Sequence, residues 1–124
     1  MKDHSYIQNC FFLEYKFYEL THSTNIIELQ VHGQSFLIEE KIVAFGRSGY
    51  APFAFSTFPG NTVSRLHFVI INQRNNVWLY DLDSYSGTYV DGKRVDKKFF
   101  LLGLHEIKFG DHKISLKTDK NLLI

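Results

Sequence analysis

The sequence predicts an all-β sandwich. Three observations carry that prediction. Apolar and polar residues alternate in short runs, turn-forming residues separate those runs at regular spacing, and no window holds a sustained helical period with caps at both ends.

The elements follow in chain order. Leu13-Glu14-Tyr15-Lys16-Phe17 alternates with period two, the mark of a half-buried strand. Ile26 to Val31 and Ser35 to Ile38 flank His32-Gly33-Gln34, a hairpin pattern. Ile42 to Phe45 is a short apolar strand that runs into Gly46-Arg47, and Phe53-Ala54-Phe55 offers another. His67 to Ile71 and Val77 to Leu82 bracket the polar turn cluster 72–76. Thr88-Tyr89-Val90 and Lys93-Arg94-Val95 bracket Asp91-Gly92, a strong signal for a two-residue turn whose central residues both need positive φ. Glu106 to Phe109 and Lys113 to Leu116 bracket Gly110-Asp111-His112, a third hairpin.

Composition bounds the function. The chain has 124 residues, a length suited to one domain with its own core. Fourteen Lys and Arg against 13 Asp and Glu give a net charge of +1, which leaves no surplus for general nucleic-acid binding. The longest apolar run, Phe99 to Leu102, is too short to cross a bilayer, and the N-terminus lacks the pattern of a signal peptide. Cys10 is the single cysteine, so no internal disulfide forms. The expected setting is the reducing cytoplasm, and nothing in the sequence argues against the nucleus.

Catalytic constellations are thin. Six histidines are scattered without metal-ligand spacing, so no metal and no cofactor are expected. Ser64 and His67 lie close in sequence, but a nucleophile–base pair needs an orienting group and an oxyanion site. Asp81 and Asp83 share a face if both lie on a strand, and the plainer reading is that they solvate a turn. The reading is therefore not an enzyme. What stands out is polar residues at strand–loop junctions: Arg47, Ser64 with Arg65, and Ser86 with Gly87. In a sandwich the loops cluster at two ends. If these share one end, guanidinium forks and hydroxyls converge as a phosphate needs.

Phe45-Gly46-Arg47-Ser48, Val63-Ser64-Arg65-Leu66-His67 and Asp81 to Gly92 resemble the forkhead-associated (FHA) domain. The family pattern is Gly-Arg, Ser-Arg-x-His and Asp-x-x-Ser-x-Asn-Gly-Thr, in that order and at about these separations. The resemblance covers residues 26–118, leaving 1–25 as an aromatic-rich extension contributing an added strand and 119–124 as a tail. It implies a sandwich of about eleven mostly antiparallel strands that recognises phosphothreonine in partner proteins, as a signalling or assembly module. Arg47 would bond the phosphate, Ser64 would donate its hydroxyl to it, and Arg65 would add a second cation. Gly46 and Gly87 would allow close backbone approach, His67 would brace the loops, and Thr88 would bond locally. Ser86 stands where the family has Asn, whose amide bonds the peptide main chain. His105-Glu106 replaces a common Gly-Asp, and the first 25 residues have no counterpart. Tyr50, Phe53, Phe55 and Phe58 offer a hydrophobic specificity surface, although alternation assigns Phe53 and Phe55 to the core.

The partner implied is a phosphothreonine-containing protein or peptide, with an upstream Ser/Thr kinase, no nucleic acid and no membrane insertion. Two alternatives stand beside it. One is an FHA-like module that binds protein independently of phosphorylation. The other is a sandwich that holds a small ligand or runs a hydrolysis through Ser64 and His67.

Overall fold

The computed structural model describes residues 26–39, 41–47, 54–73 and 76–118. The expected Leu13–Phe17 strand, the extension, the tail, Tyr50, Phe53 and the side chain of Phe55 lie outside those described residues.

Eleven strands form two sheets among them. They are β1 (Ile27–Val31), β2 (Gln34–Ile38), β3 (Ile42–Arg47), β4 (Ala54–Phe58), β5 (Phe68–Gln73), β6 (Asn76–Asp81), β7 (Thr88–Val90), β8 (Lys93–Arg94), β9 (Lys98–Leu101), β10 (Gly103–Phe109) and β11 (His112–Thr118). One sheet runs β2-β1-β11-β10-β7-β8 and the other β4-β3-β5-β6-β9. The pairing is antiparallel except between β3 and β4, which run parallel with a register shift at Ala44/Phe45. The all-β expectation holds, and no described helix is long and apolar enough to cross a membrane.

Turn chemistry sets the hairpins. His32 and Gly33 have φ of 49° and 81°, and Asp91 and Gly92 have 52° and 83°, as a two-residue turn with both centres left-handed requires. The first hairpin is thus tighter than the three-residue turn the sequence suggested: β2 starts at Gln34. In β1 Ile27 and Leu29 point inward and are fully buried, while Gln30 faces solvent. Phe68 to Ile71 are buried on both faces of the sheet, which is why that run reads as continuously apolar.

The sequence reading missed β9. Its outward Phe100 packs on Trp78 of β6 with ring centroids 5.2 Å apart, and Lys98 lies over the same indole at 4.8 Å.

Aromatic rings join the sheets beneath the loops. Phe45 stacks on Phe68 at 4.4 Å, and Phe109 from the opposite sheet meets Phe68 edge-on at 5.0 Å and Phe58 at 4.8 Å. Such pairs add about 0.5–1.5 kcal/mol each beyond the area they bury. Phe58 is therefore core, 3% exposed, and not the specificity surface that its loop position suggested.

Candidate functional site

Phe45, Phe68 and Phe109 lie at the ends of their strands nearest the loops, so the aromatic cluster is the floor on which those loops rest. β3 delivers Arg47 to this end, the segment 59–67 delivers Ser64 and Arg65, and the segment 82–87 delivers Ser86 and Gly87.

Backbone bonds draw the first two together. The Arg47 main-chain N–H donates to the Ser64 carbonyl at 3.0 Å, and its Nε donates to the Val63 carbonyl at 2.9 Å. The guanidinium is thus anchored by one edge against the segment that carries Ser64. Ser64 is 6% exposed, and its hydroxyl accepts the Tyr85 N–H at 2.9 Å. A hydroxyl has one proton and two lone pairs, so that bond leaves the proton for an outside acceptor.

His67 ties the loops from below. It is fully buried, its Nδ1 accepts the Ser64 N–H at 3.1 Å, and its Nε2 donates to the Gly87 carbonyl at 2.8 Å. That pair of bonds requires the neutral tautomer protonated on Nε2. Burial pushes the imidazole below its ordinary pKa, opposed in part by the Gly87 carbonyl and the Asp81 charge. The ring also meets Phe109 edge-on at 5.5 Å. The hydrolase reading loses its geometric basis here, because the imidazole faces the Ser64 amide and not its hydroxyl.

Asp81 is not a solvated turn carboxylate. Its Oδ1 accepts the Ser84 hydroxyl at 2.6 Å and the Thr88 hydroxyl at 2.7 Å, and its Oδ2 accepts the Ser84 N–H at 3.1 Å. These bonds close the 81–88 loop and turn Tyr85 N–H toward Ser64. Thr88 is fully buried and committed to that task. Asp83 follows with φ of 56° and faces solvent, so the two carboxylates do not act as a pair.

Ser86 reaches the same end, but its hydroxyl donates to the Thr62 carbonyl at 2.8 Å and so joins loop to loop. Gly87 has φ of 87°, and a Cβ there would meet the Arg94 Nε at 3.1 Å. Gly46 is buried in β3 beside Arg47. Arg65 is half-buried next to Ser64.

Thr62 and its contact with the Gly110-Asp111 turn escaped the sequence reading. Thr62 exchanges bonds with Asp111: its hydroxyl donates to Oδ2 at 3.1 Å and accepts the Asp111 N–H at 3.2 Å. Gly110 makes room for this contact, since a Cβ there would lie 2.8 Å from the Thr62 carbonyl oxygen. The partners stand 49 residues apart in sequence, so no local pattern could reveal them. His105, by contrast, lies away from these loops and bonds Asp91 at 2.7 Å. The Asp91 carboxyl is held below its ordinary pKa by the Glu106 N–H first and His105 second. No cluster of three metal-ligating side chains occurs among the described residues.

A family profile, FHA domain, matches residues 43–112. Among solved structures, EmbR of Mycobacterium tuberculosis, in complex with a low-affinity phosphopeptide, is 22% identical with a TM-score of 0.68. That match covers 75% of this chain and 24% of EmbR, so the chain spans about a quarter of its length. An FHA domain from a study of phosphothreonine-dependent FHA domain interactions is 26% identical, with a TM-score of 0.66, covering 76% of this chain and 97% of that one. The FHA domain of FhaA, complexed with the intracellular domain of Rv3910, is 26% identical with a TM-score of 0.64, over 73% of this chain and 99% of that one. A search of curated proteins finds no match.

Proposed function

The chain belongs to the FHA domain family, and on that premise we propose that it binds phosphothreonine in partner proteins through the rim formed by Arg47, Ser64, Arg65 and Ser86. The observation that supports this most directly is the junction of Arg47 and Ser64: three hydrogen bonds tie the first to the segment of the second and the second to the next loop. Relatives solved with a phosphopeptide or studied for phosphothreonine-dependent interactions support the same reading.

The mechanism is electrostatic capture by a prepared site. A phosphothreonine carries about −1.5 to −2 charge and three acceptor oxygens. Arg47, held at Nε, donates its terminal N–H groups; Ser64 donates its hydroxyl; Arg65 adds positive charge. Anchoring before binding lowers the ordering cost of association. A Ser/Thr kinase acting on the partner supplies the phosphate, and removing it withdraws the charge that the guanidinium recognises. The role is binding, with no catalytic step.

Arg47→Ala is the test. Losing one partner of a desolvated charge pair costs about 2–5 kcal/mol, so affinity for a phosphothreonine peptide falls at least about thirtyfold. Titration of wild type and variant with the phosphorylated and unphosphorylated peptide measures this, with urea unfolding as the check on folding. Equal affinity of the two proteins would refute the reading. A second reading, phosphate-independent protein binding, draws on Ser86, whose hydroxyl is engaged by Thr62 where the family places a peptide-binding amide. Partner capture that survives phosphatase treatment would favour it.

A further inference from the structure

Beside the rim, on the outer face of the six-stranded sheet, lies a cavity of about 520 Å³ whose lining includes Ser86, Tyr89, Glu106, Lys108, Gly110 and Lys113. Lys108 stands directly opposite Lys113 across β10 and β11. Tyr89 is opposite Lys108 on the other side, and Arg94 is opposite Tyr89. One register row thus carries three cations around one phenol. Lys108, Lys113 and Arg94 are all exposed.

The facing lysines of this row work against the fold. Like charges directly opposite on paired strands destabilise a sheet. The compensating carboxylate is Glu106, 3.8 Å from the Lys113 ammonium, an exposed pair of little worth. The cavity also begins where the phosphate rim ends. Ser86 lines it while bonded to Thr62, and Gly110 lines it while packed on Thr62. An extended chain leaving the rim past Ser86 reaches this row within a few residues.

We propose that this cavity binds an acidic stretch of the same phosphoprotein partner, its Asp or Glu carboxylates facing Lys108 and Lys113 and its stem lying along Tyr89. The proposal rests on the phosphothreonine reading. Carboxylates on a peptide fit better than a nucleic-acid backbone, since a few cations on a chain whose net charge is only +1 match one or two carboxylates and not a run of phosphates.

The experiment compares two phosphothreonine peptides, one with Asp/Glu flanks and one with neutral flanks, by titration against wild type, Arg47→Ala and the double variant Lys108→Gln/Lys113→Gln. Wild type prefers the acidic peptide by about three- to tenfold at low salt. The double variant loses that preference and binds the neutral peptide as wild type does. High salt erases the preference too. Equal preference in wild type and double variant overturns the proposal, as does an equal loss for both peptides. An oligonucleotide that binds wild type, fails with the double variant and leaves no acidic preference also overturns it. Arg47→Ala separates the two readings. If it leaves the neutral peptide untouched, the phosphate reading fails, while the acidic preference in wild type and its loss in the double variant still uphold the cavity.

Discussion

Replacing His67 with Phe keeps an aromatic ring on the cluster floor and removes both ring nitrogens. Two buried peptide groups then lose their partners: the Ser64 N–H, bonded at 3.1 Å, and the Gly87 carbonyl, bonded at 2.8 Å. Each orphaned buried group costs about 1–3 kcal/mol, so the variant loses about 2–6 kcal/mol. A domain holds only about 5–15 kcal/mol in total. With a urea slope of about 2 kcal/mol per molar, the midpoint falls by about 1–3 M. The pH dependence gives a second, independent readout. Burial lowers the His67 pKa in the folded chain, so the unfolded chain takes up that proton first. The stability tied to this group is complete above about pH 6.5 and falls as pH drops from there toward the folded value. A protonated Nδ1 would also point a donor at the Ser64 N–H. The Phe variant has nothing there to titrate, so the gap between wild type and variant narrows as pH falls from 7 to 5. Urea unfolding at several pH values measures both effects. Matching midpoints at pH 7, or a gap that stays constant with pH, would refute the assignment of His67 as the buried tie between loops.

Two further substitutions probe the loop contacts. Gly110→Ala drives a Cβ to within 2.8 Å of the Thr62 carbonyl at a φ of 57°, so it destabilises by about 1–3 kcal/mol and weakens phosphopeptide binding by detaching Thr62; thermal unfolding and peptide titration check the two parts. Thr88→Val removes the hydroxyl bonded at 2.7 Å to Asp81 while keeping the shape, so urea unfolding should show a loss of about 0.5–2 kcal/mol.

Hairpins bounded by His32-Gly33 and Asp91-Gly92 were legible because turn geometry is written in the turn residues themselves. The strand Lys98–Leu101 was not, because its outward Phe100 answers to Trp78 on β6 and breaks the local alternation. Arg47, Ser64 and His67 could be named from motif order. Their bonds could not, since those run through main-chain groups of residues 16–21 positions away or more locally through an amide. Ser86 shows the limit of reading a side chain by motif position: the sequence marks a hydroxyl at the right place, and the fold turns it toward Thr62. The Gly110 turn was legible as a hairpin, but its contact with Thr62 was not, because the two meet only through tertiary packing.

The ties among Arg47, Ser64, His67 and the 81–88 loop each have a peptide group on at least one side: the amides of Arg47, Ser64 and Tyr85 and the carbonyls of Val63, Ser64 and Gly87. The side chains that meet them are the Arg47 Nε edge, the Ser64 hydroxyl and the His67 ring. An amide is the same in every residue but proline. The frame is therefore insensitive to which outward side chains decorate it. Taste for a new ligand can be acquired by drift at a few exposed letters, with the scaffold's folding left as it was.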